Sequence, residues 1–174
     1  SIPANAILRY KYGMAVEEQS AGQRNREPYN RFISMNFMIC RDAFLKVRFD
    51  ETFHLGYEDT LFGMQLEQAG VEILHIDNPV YHLVEENSEQ FLMKIRRAVR
   101  NLDGHIEQMH SHVKLLRWYA CVKRLGMAPL VAFLFRNNEK RLVSNLTSRR
   151  PSLKLFAFYK LGYLCNFLSQ KKPD

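Results

Sequence analysis

The chain has 174 residues, 47% hydrophobic and 12% aromatic, with 25 Lys/Arg against 18 Asp/Glu and a formal charge of +7. It is long and apolar enough for a real core, which excludes a disordered tract. Its three cysteines, Cys40, Cys121 and Cys165, lie far apart, which excludes a disulfide framework or a zinc knuckle and suits a reducing compartment.

The opening "SIPANAILRY" has neither the basic nor the apolar region of a signal peptide and does not start with Met. Ser1 is therefore expected not to be the natural start, and the chain to be a piece of a longer protein. Strand-like or helical character at the start gives way to a polar loop between Glu17 and Asn30. "FISMNFMIC" predicts a short strand over Phe32–Ile39, followed by a helical turn from Arg41–Asp42. "RFDETFHLGY" reads as a compact turn with Phe49 and Phe53 packed inward. Leu61, Phe62, Leu66 and Ala69 then recur near helical spacing, predicting a helix over Thr60–Ala69 that ends on Gly70. The β-branched "VEILHI" predicts a strand, "DNP" a turn, and "VYHL" another short strand.

The character changes at Ser88. Phe91, Leu92, Ile95, Val99, Leu102 and Ile106 form a helical stripe with a basic opposite face, capped by Asn87 or Ser88. Further helices are predicted over Val113–Leu125, Pro129–Arg136 and Lys154–Leu168. The longest clean apolar run, "MAPLVAFLF", is nine residues, far short of the ~20 that a membrane-spanning helix needs. Charge divides at the same place: residues 1–88 carry 8 Lys/Arg against 13 Asp/Glu, and residues 89–174 carry 17 against 5. The expected organisation is an α/β portion over residues 1–87 and a basic helical extension over residues 88–174.

The chemistry concentrates where Glu58 and Asp59 open the Thr60–Ala69 helix. The positive end of a helix dipole favours an ionised carboxylate, which could take a proton from an incoming hydroxyl. The plain alternative is that Asp59 is an N-cap.

The ordered set Asn36, Arg41, Phe44, Val47, Phe49-Asp50-Glu51, Phe53, Gly56, Glu58-Asp59, Gly63, Leu66, Gly70 and His82 resembles family 2 glycosyltransferases of the GT-A fold. The likeness covers about Arg31 to Leu83, and "FDETFHLGYEDTLFG" is its most specific part. It implies the C-terminal, acceptor-side part of a GT-A α/β domain. Asp59 would be the catalytic base of an inverting transfer from a nucleotide-sugar to a glycan or lipid-linked glycan hydroxyl. Glu58 would shape the acceptor site, Asn36, Gly56 and Tyr57 would border the substrate, and His82 would help hold a divalent cation, Mn²⁺ or Mg²⁺, on the donor diphosphate. Two local departures stand out: "SM" precedes Asn36 where the family often has glycines, and Arg48 precedes "FDE" where a glycine is common. The larger departure is that no D-x-D pair and no nucleotide-binding βαβ half occur in these residues, so the chain alone is expected to be inactive.

Other signals carry less. His105, His110 and His112 fall within eight residues, but only the first and last share a helical face, and all three are expected to face solvent. The basic half, interleaved with Phe, Tyr, Leu and Trp118, suggests an anionic membrane surface as partner, consistent with a lipid-linked acceptor. A non-catalytic acceptor-binding or membrane-docking module is the alternative function. No nucleic-acid motif accompanies the charge, which makes nucleic acid an unlikely partner. The expected location is cytoplasmic, peripheral on the inner face of the plasma membrane.

Overall fold

A computed structural model describes residues 5–51, 53, 56–81, 83 and 86–171. The described residues are helical, with no strand among them. This overturns the α/β, GT-A-type reading: α-helices and turns surround the core, and the described residues include no sheet for helices to cover.

Helix α1, Ile7–Tyr12, runs into a π-helical turn at Gly13–Glu17. The short α2, Ala21–Arg24, carries a capping box between Ser20 and Gln23, and a 3₁₀ turn follows at Tyr29–Arg31. Then come α3, Arg41–Lys46, and α4, Glu58–Gln68. The second half holds α5, Ser88–Asn101, the short α6, Ile106–Met109, and α7, Lys114–Arg124. It closes with α8, Ala128–Leu146, and α9, Leu153–Gln170.

The predicted helices appear, most of them close to their expected ends. Asn87 caps α5 and shares a capping box with Gln90. Gly70 ends α4 in a left-handed conformation, φ 66°. Its N–H donates to the Glu67 carbonyl and the Val71 N–H to the Leu66 carbonyl, the paired bonds of a Schellman motif. Helix α8 is much longer than Pro129–Arg136, because Leu142 and Leu146 continue the buried face begun by Val131 and Phe135.

The expected strands fail for lack of partners. A strand exists only if its backbone pairs in a ladder, and residues 71–76 pair with a side chain instead. Asn25 Nδ2 donates to the His75 carbonyl, and the His75 N–H donates to Asn25 Oδ1, both at 2.8 Å. The alternation of "VEILHI" is real, since Val71 and Ile73 face the core while Leu74 and Ile76 are exposed. Phe32–Ile39 is broken by a turn around Ser34–Asn36, with Met38 fully exposed. In the "VYHL" segment Tyr81 and Leu83 are exposed, and His82 lies outside the described residues.

Two cores form. The larger gathers Leu8, Leu61, Met64, Phe91, Val99, Leu116, Phe135, Phe156, Tyr159 and Leu164 among others, drawing on α1, α4, α5, α7, α8 and α9. The smaller comprises Phe32, Val47, Phe62 and Leu66, with Phe49 stacked on Phe62 at 4.0 Å between ring centroids. Helix α4 is buried on two faces, Leu61 and Met64 toward the larger core, Phe62 and Leu66 toward the smaller. Its start is thereby held between them.

Candidate functional site at the start of helix α4

Two close approaches fix this helix. Gly63 lies so near the 3₁₀ turn that a Cβ there would come within 2.3 Å of the Tyr29 carbonyl oxygen. Gly56 has φ +99°, and a Cβ on it would stand 2.3 Å from Ala98 Cβ of α5. Only glycine provides both that backbone conformation and that clearance. The turn before α4 is thus pressed on α5, while the helix body rests on the 3₁₀ turn.

Tyr57, the N-cap residue, is a non-glycine residue in the left-handed region, φ 71°. Such strain is held only where the surroundings dictate it, and it clusters at functional positions. Here the ring supplies the reason. It packs on the larger core, where burial first and the neighbouring Tyr12 second push its hydroxyl pKa far up. Tyr57 therefore anchors the turn through an interior ring, although the sequence pattern places it on the substrate.

The carboxylates of Glu58 and Asp59 do different things. Glu58 folds back, and its Oε2 accepts from the Gly56 N–H at 2.5 Å. The N-cap residue, Tyr57, makes no side-chain bond to the start of α4, and no hydrogen bond from Asp59 caps it among the described residues. Asp59 Oδ1 is shut away from solvent and has no hydrogen-bond partner among the described residues. The N-cap alternative for Asp59 is thus not what its side chain does. A buried acceptor left without a donor costs free energy of about 1–3 kcal/mol; Arg24 Nε, Gln65 Oε1, His105 Nδ1 and Asn166 Oδ1 are likewise buried and unpartnered among the described residues.

Asn36 and the "FDE" turn lie in the segments before α4, and His82 lies outside the described residues. Asn36 is exposed and its Nδ2 donates to the Asn78 carbonyl at 3.0 Å, tying the Phe32–Ile39 loop to the 77–79 turn. Phe53 is buried, with its ring edge-on to His105 at 4.9 Å. The Phe53 N–H donates to the Asp50 carbonyl, closing the "FDE" turn. A shallow polar depression lined by Gln19, Gln23, Arg26, Glu27 and Arg31 contains none of the predicted site residues.

The described residues do not by themselves assemble a site for the expected divalent cation, and His82 lies outside them. They include no group of three His, Cys, Asp or Glu side chains able to hold one. Three of the histidines are engaged with other groups, while the half-buried His105 leaves its Nδ1 without a partner among the described residues. His112 Nε2 meets Glu67 Oε2 at 2.8 Å, His110 Nδ1 contacts the Glu107 carbonyl at 2.7 Å, and His75 Nε2 contacts the Pro28 carbonyl at 3.0 Å. His105 and His112 are half-buried, against the expectation that both face solvent.

One group escaped the sequence reading. The Lys160 ammonium lies over the rings of Tyr12 and Phe156, 5.2 and 4.9 Å from their centroids. Burial, and then the charge of Lys114, lower its pKa to about 8. A lysine on an otherwise apolar helix gives no such signal, because its neighbours come from α1 and from its own preceding turn. The basic face of α5 is also partly tied down. Arg96 reaches Glu139 and the Tyr159 hydroxyl, and Arg100 donates to the Tyr163 hydroxyl at 2.6 Å. No family model, no curated protein and no solved structure matches the chain.

Proposed function

We propose that the chain carries the acceptor side of an inverting glycosyl transfer from a nucleotide-sugar, with Asp59 as general base. The observation behind this reading is the division of labour at the start of α4. Glu58 satisfies the turn, while Asp59 Oδ1 is held in place without a protein donor. The acceptor hydroxyl would donate to the carboxylate of Asp59, a half-buried residue, and pass its proton there as its own oxygen bonds the anomeric carbon. The bond to the nucleoside diphosphate breaks, and that group leaves with the electron pair. A base held at a helix N-terminus next to two packed cores needs no reorganisation at that moment.

The sequence pattern from Asn36 to Gly70 supports the same reading, and the local geometry at α4 supports it without a GT-A sheet. Glu58 acts as a positioning residue through the Gly56 amide. The divalent cation that the resemblance implies is left out of this step. Its named ligand, His82, lies outside the described residues, and the described side chains offer it no binding group. A glycan or lipid-linked glycan hydroxyl is the proposed acceptor.

The test is nucleotide release and sugar transfer by the natural gene product across a panel of nucleotide-sugars. Asp59→Asn is expected to lower kcat by roughly 10²–10⁴-fold, the usual worth of a positioned base, with the donor KM within about twofold. Wild-type turnover by that variant, or no transfer from any donor by the unmodified protein, contradicts the reading.

A further inference from the structure

The bend between α7 and α8 exposes large apolar side chains that no other part of the described chain covers. Trp118 of α7, its C-cap Leu125, Met127 in the bend, and Leu130, Phe133 and Leu134 in the first two turns of α8 are each 41–62% exposed. The bend itself is built in. Gly126 is left-handed, φ 67°, and the Gly126 and Met127 N–H groups donate to the carbonyls of Lys123 and Val122. Those two bonds end α7 in a Schellman motif, and α8 leaves at 115°.

Charge surrounds this apolar elbow and has one sign. Between Lys114 and Arg141 the chain carries seven Lys/Arg and a single carboxylate, Glu139. That carboxylate is already bonded to Arg96. Arg117, Lys123, Arg124 and Arg136 have no ion-pair partner among the described residues, unlike Lys171, which pairs with Asp103. An exposed apolar patch ringed by unpaired cations matches an acidic headgroup layer over hydrocarbon. Trp118 adds a side chain suited to that boundary.

We propose that the α7–α8 elbow is a membrane-docking element that lies in the headgroup layer of an anionic phospholipid surface. It lies on the surface rather than across it. Among the described residues no single helix is long and apolar enough to cross a membrane. A span formed by the bent pair would also carry Lys123 and Arg124 to its middle, where charges are strongly disfavoured. This inference does not depend on Asp59 and concerns a different surface.

Trp118 is the sole tryptophan, so the native chain reports its own docking. Vesicles of phosphatidylcholine with phosphatidylglycerol are expected to shift its emission to the blue and to pellet the protein. Phosphatidylcholine alone is expected to do neither. Lys123→Glu with Arg124→Glu should weaken partitioning by at least about fivefold per position, the usual contribution of each cation near an anionic surface. Leu130→Asp with Phe133→Ser should abolish the blue shift, and far-UV circular dichroism confirms that these exposed changes leave the helices intact. No shift and no pelleting with anionic vesicles overturns the proposal. So does concentration-dependent self-association that buries Trp118, or binding to nucleic acid in preference to vesicles.

Discussion

At the scale of single residues, similar groups take unlike roles because of what surrounds them. Glu58 and Asp59 are adjacent in sequence, yet one is bonded to a backbone amide and the other holds a buried, unpartnered oxygen. Their place at the start of a helix was legible from position and pattern, but the split between them was not, since it depends on the Gly56 turn being pressed against α5. Lys160 illustrates the opposite case, with no signal in sequence and a clear one in space. Its pKa of about 8 lies below the ordinary value of 10.5. The unfolded chain therefore binds more protons than the folded one between those two pH values, and stability rises as pH climbs through that window. Below about pH 8 the folded protein carries the cost of a buried ammonium, only partly offset by the two aromatic rings. Lys160→Met is expected to raise stability at pH 7 by on the order of 1–2 kcal/mol and to flatten that rise. Thermal unfolding from pH 7 to 10.5 checks both; an unchanged slope would show that Lys160 is not the titrating group.

At the scale of elements, helices were readable and extended segments were not. The stripes of α4, α5, α7 and α9 announce themselves through apolar spacing, caps and glycine stops. The α8 helix was underestimated because its middle, "RNNEK", is polar, and Glu139 there belongs to a network with Arg96 and Tyr159 rather than to solvent. Arg96 and Arg100 alternate with Tyr159, Tyr163 and Phe167 across the α5–α9 contact, each guanidinium lying 5.3–6.0 Å from two ring centroids. The basic stripe seen in sequence is therefore partly an interior feature. Residues 71–76 show why period-two alternation misleads. The pattern reports which face is buried, whereas a strand needs a partner, and Asn25 supplies only one residue's worth of pairing. At the junction of elements, Gly56→Ala would place a methyl on α5 and force a left-handed non-glycine residue. It is expected to destabilise by about 2–4 kcal/mol. Chemical denaturation checks this, and a loss under about 0.5 kcal/mol would mean that the turn is not pinned there.

At the scale of the molecule, the larger core runs through residues on both sides of the change in charge near residue 88. Leu8, Phe53, Leu61 and Met64 pack in one cluster with Phe91, Phe135 and Phe156, and the Ser88 N–H donates to the Asn5 carbonyl. Charge divides the chain, but packing does not. Unfolding is therefore expected to be one cooperative transition, with Trp118 fluorescence and far-UV circular dichroism coinciding. Two separated transitions would show instead that the halves fold independently. The same arrangement connects the two proposed surfaces, because α4 and the α7–α8 elbow share the larger core.

The central claim is that Asp59 is held for chemistry rather than for capping. The measurement that separates these is turnover and melting temperature of Asp59→Asn in the same preparation of the natural gene product. A residue that makes no cap bond leaves only its interaction with the helix dipole to lose, about 0.3–1 kcal/mol, or a shift of a few degrees at most. The account predicts that small shift together with loss of nearly all sugar transfer. Transfer retained by Asp59→Asn would contradict it, and a loss of about 1 kcal/mol or more in Asp59→Ala with transfer retained would make Asp59 a helix cap.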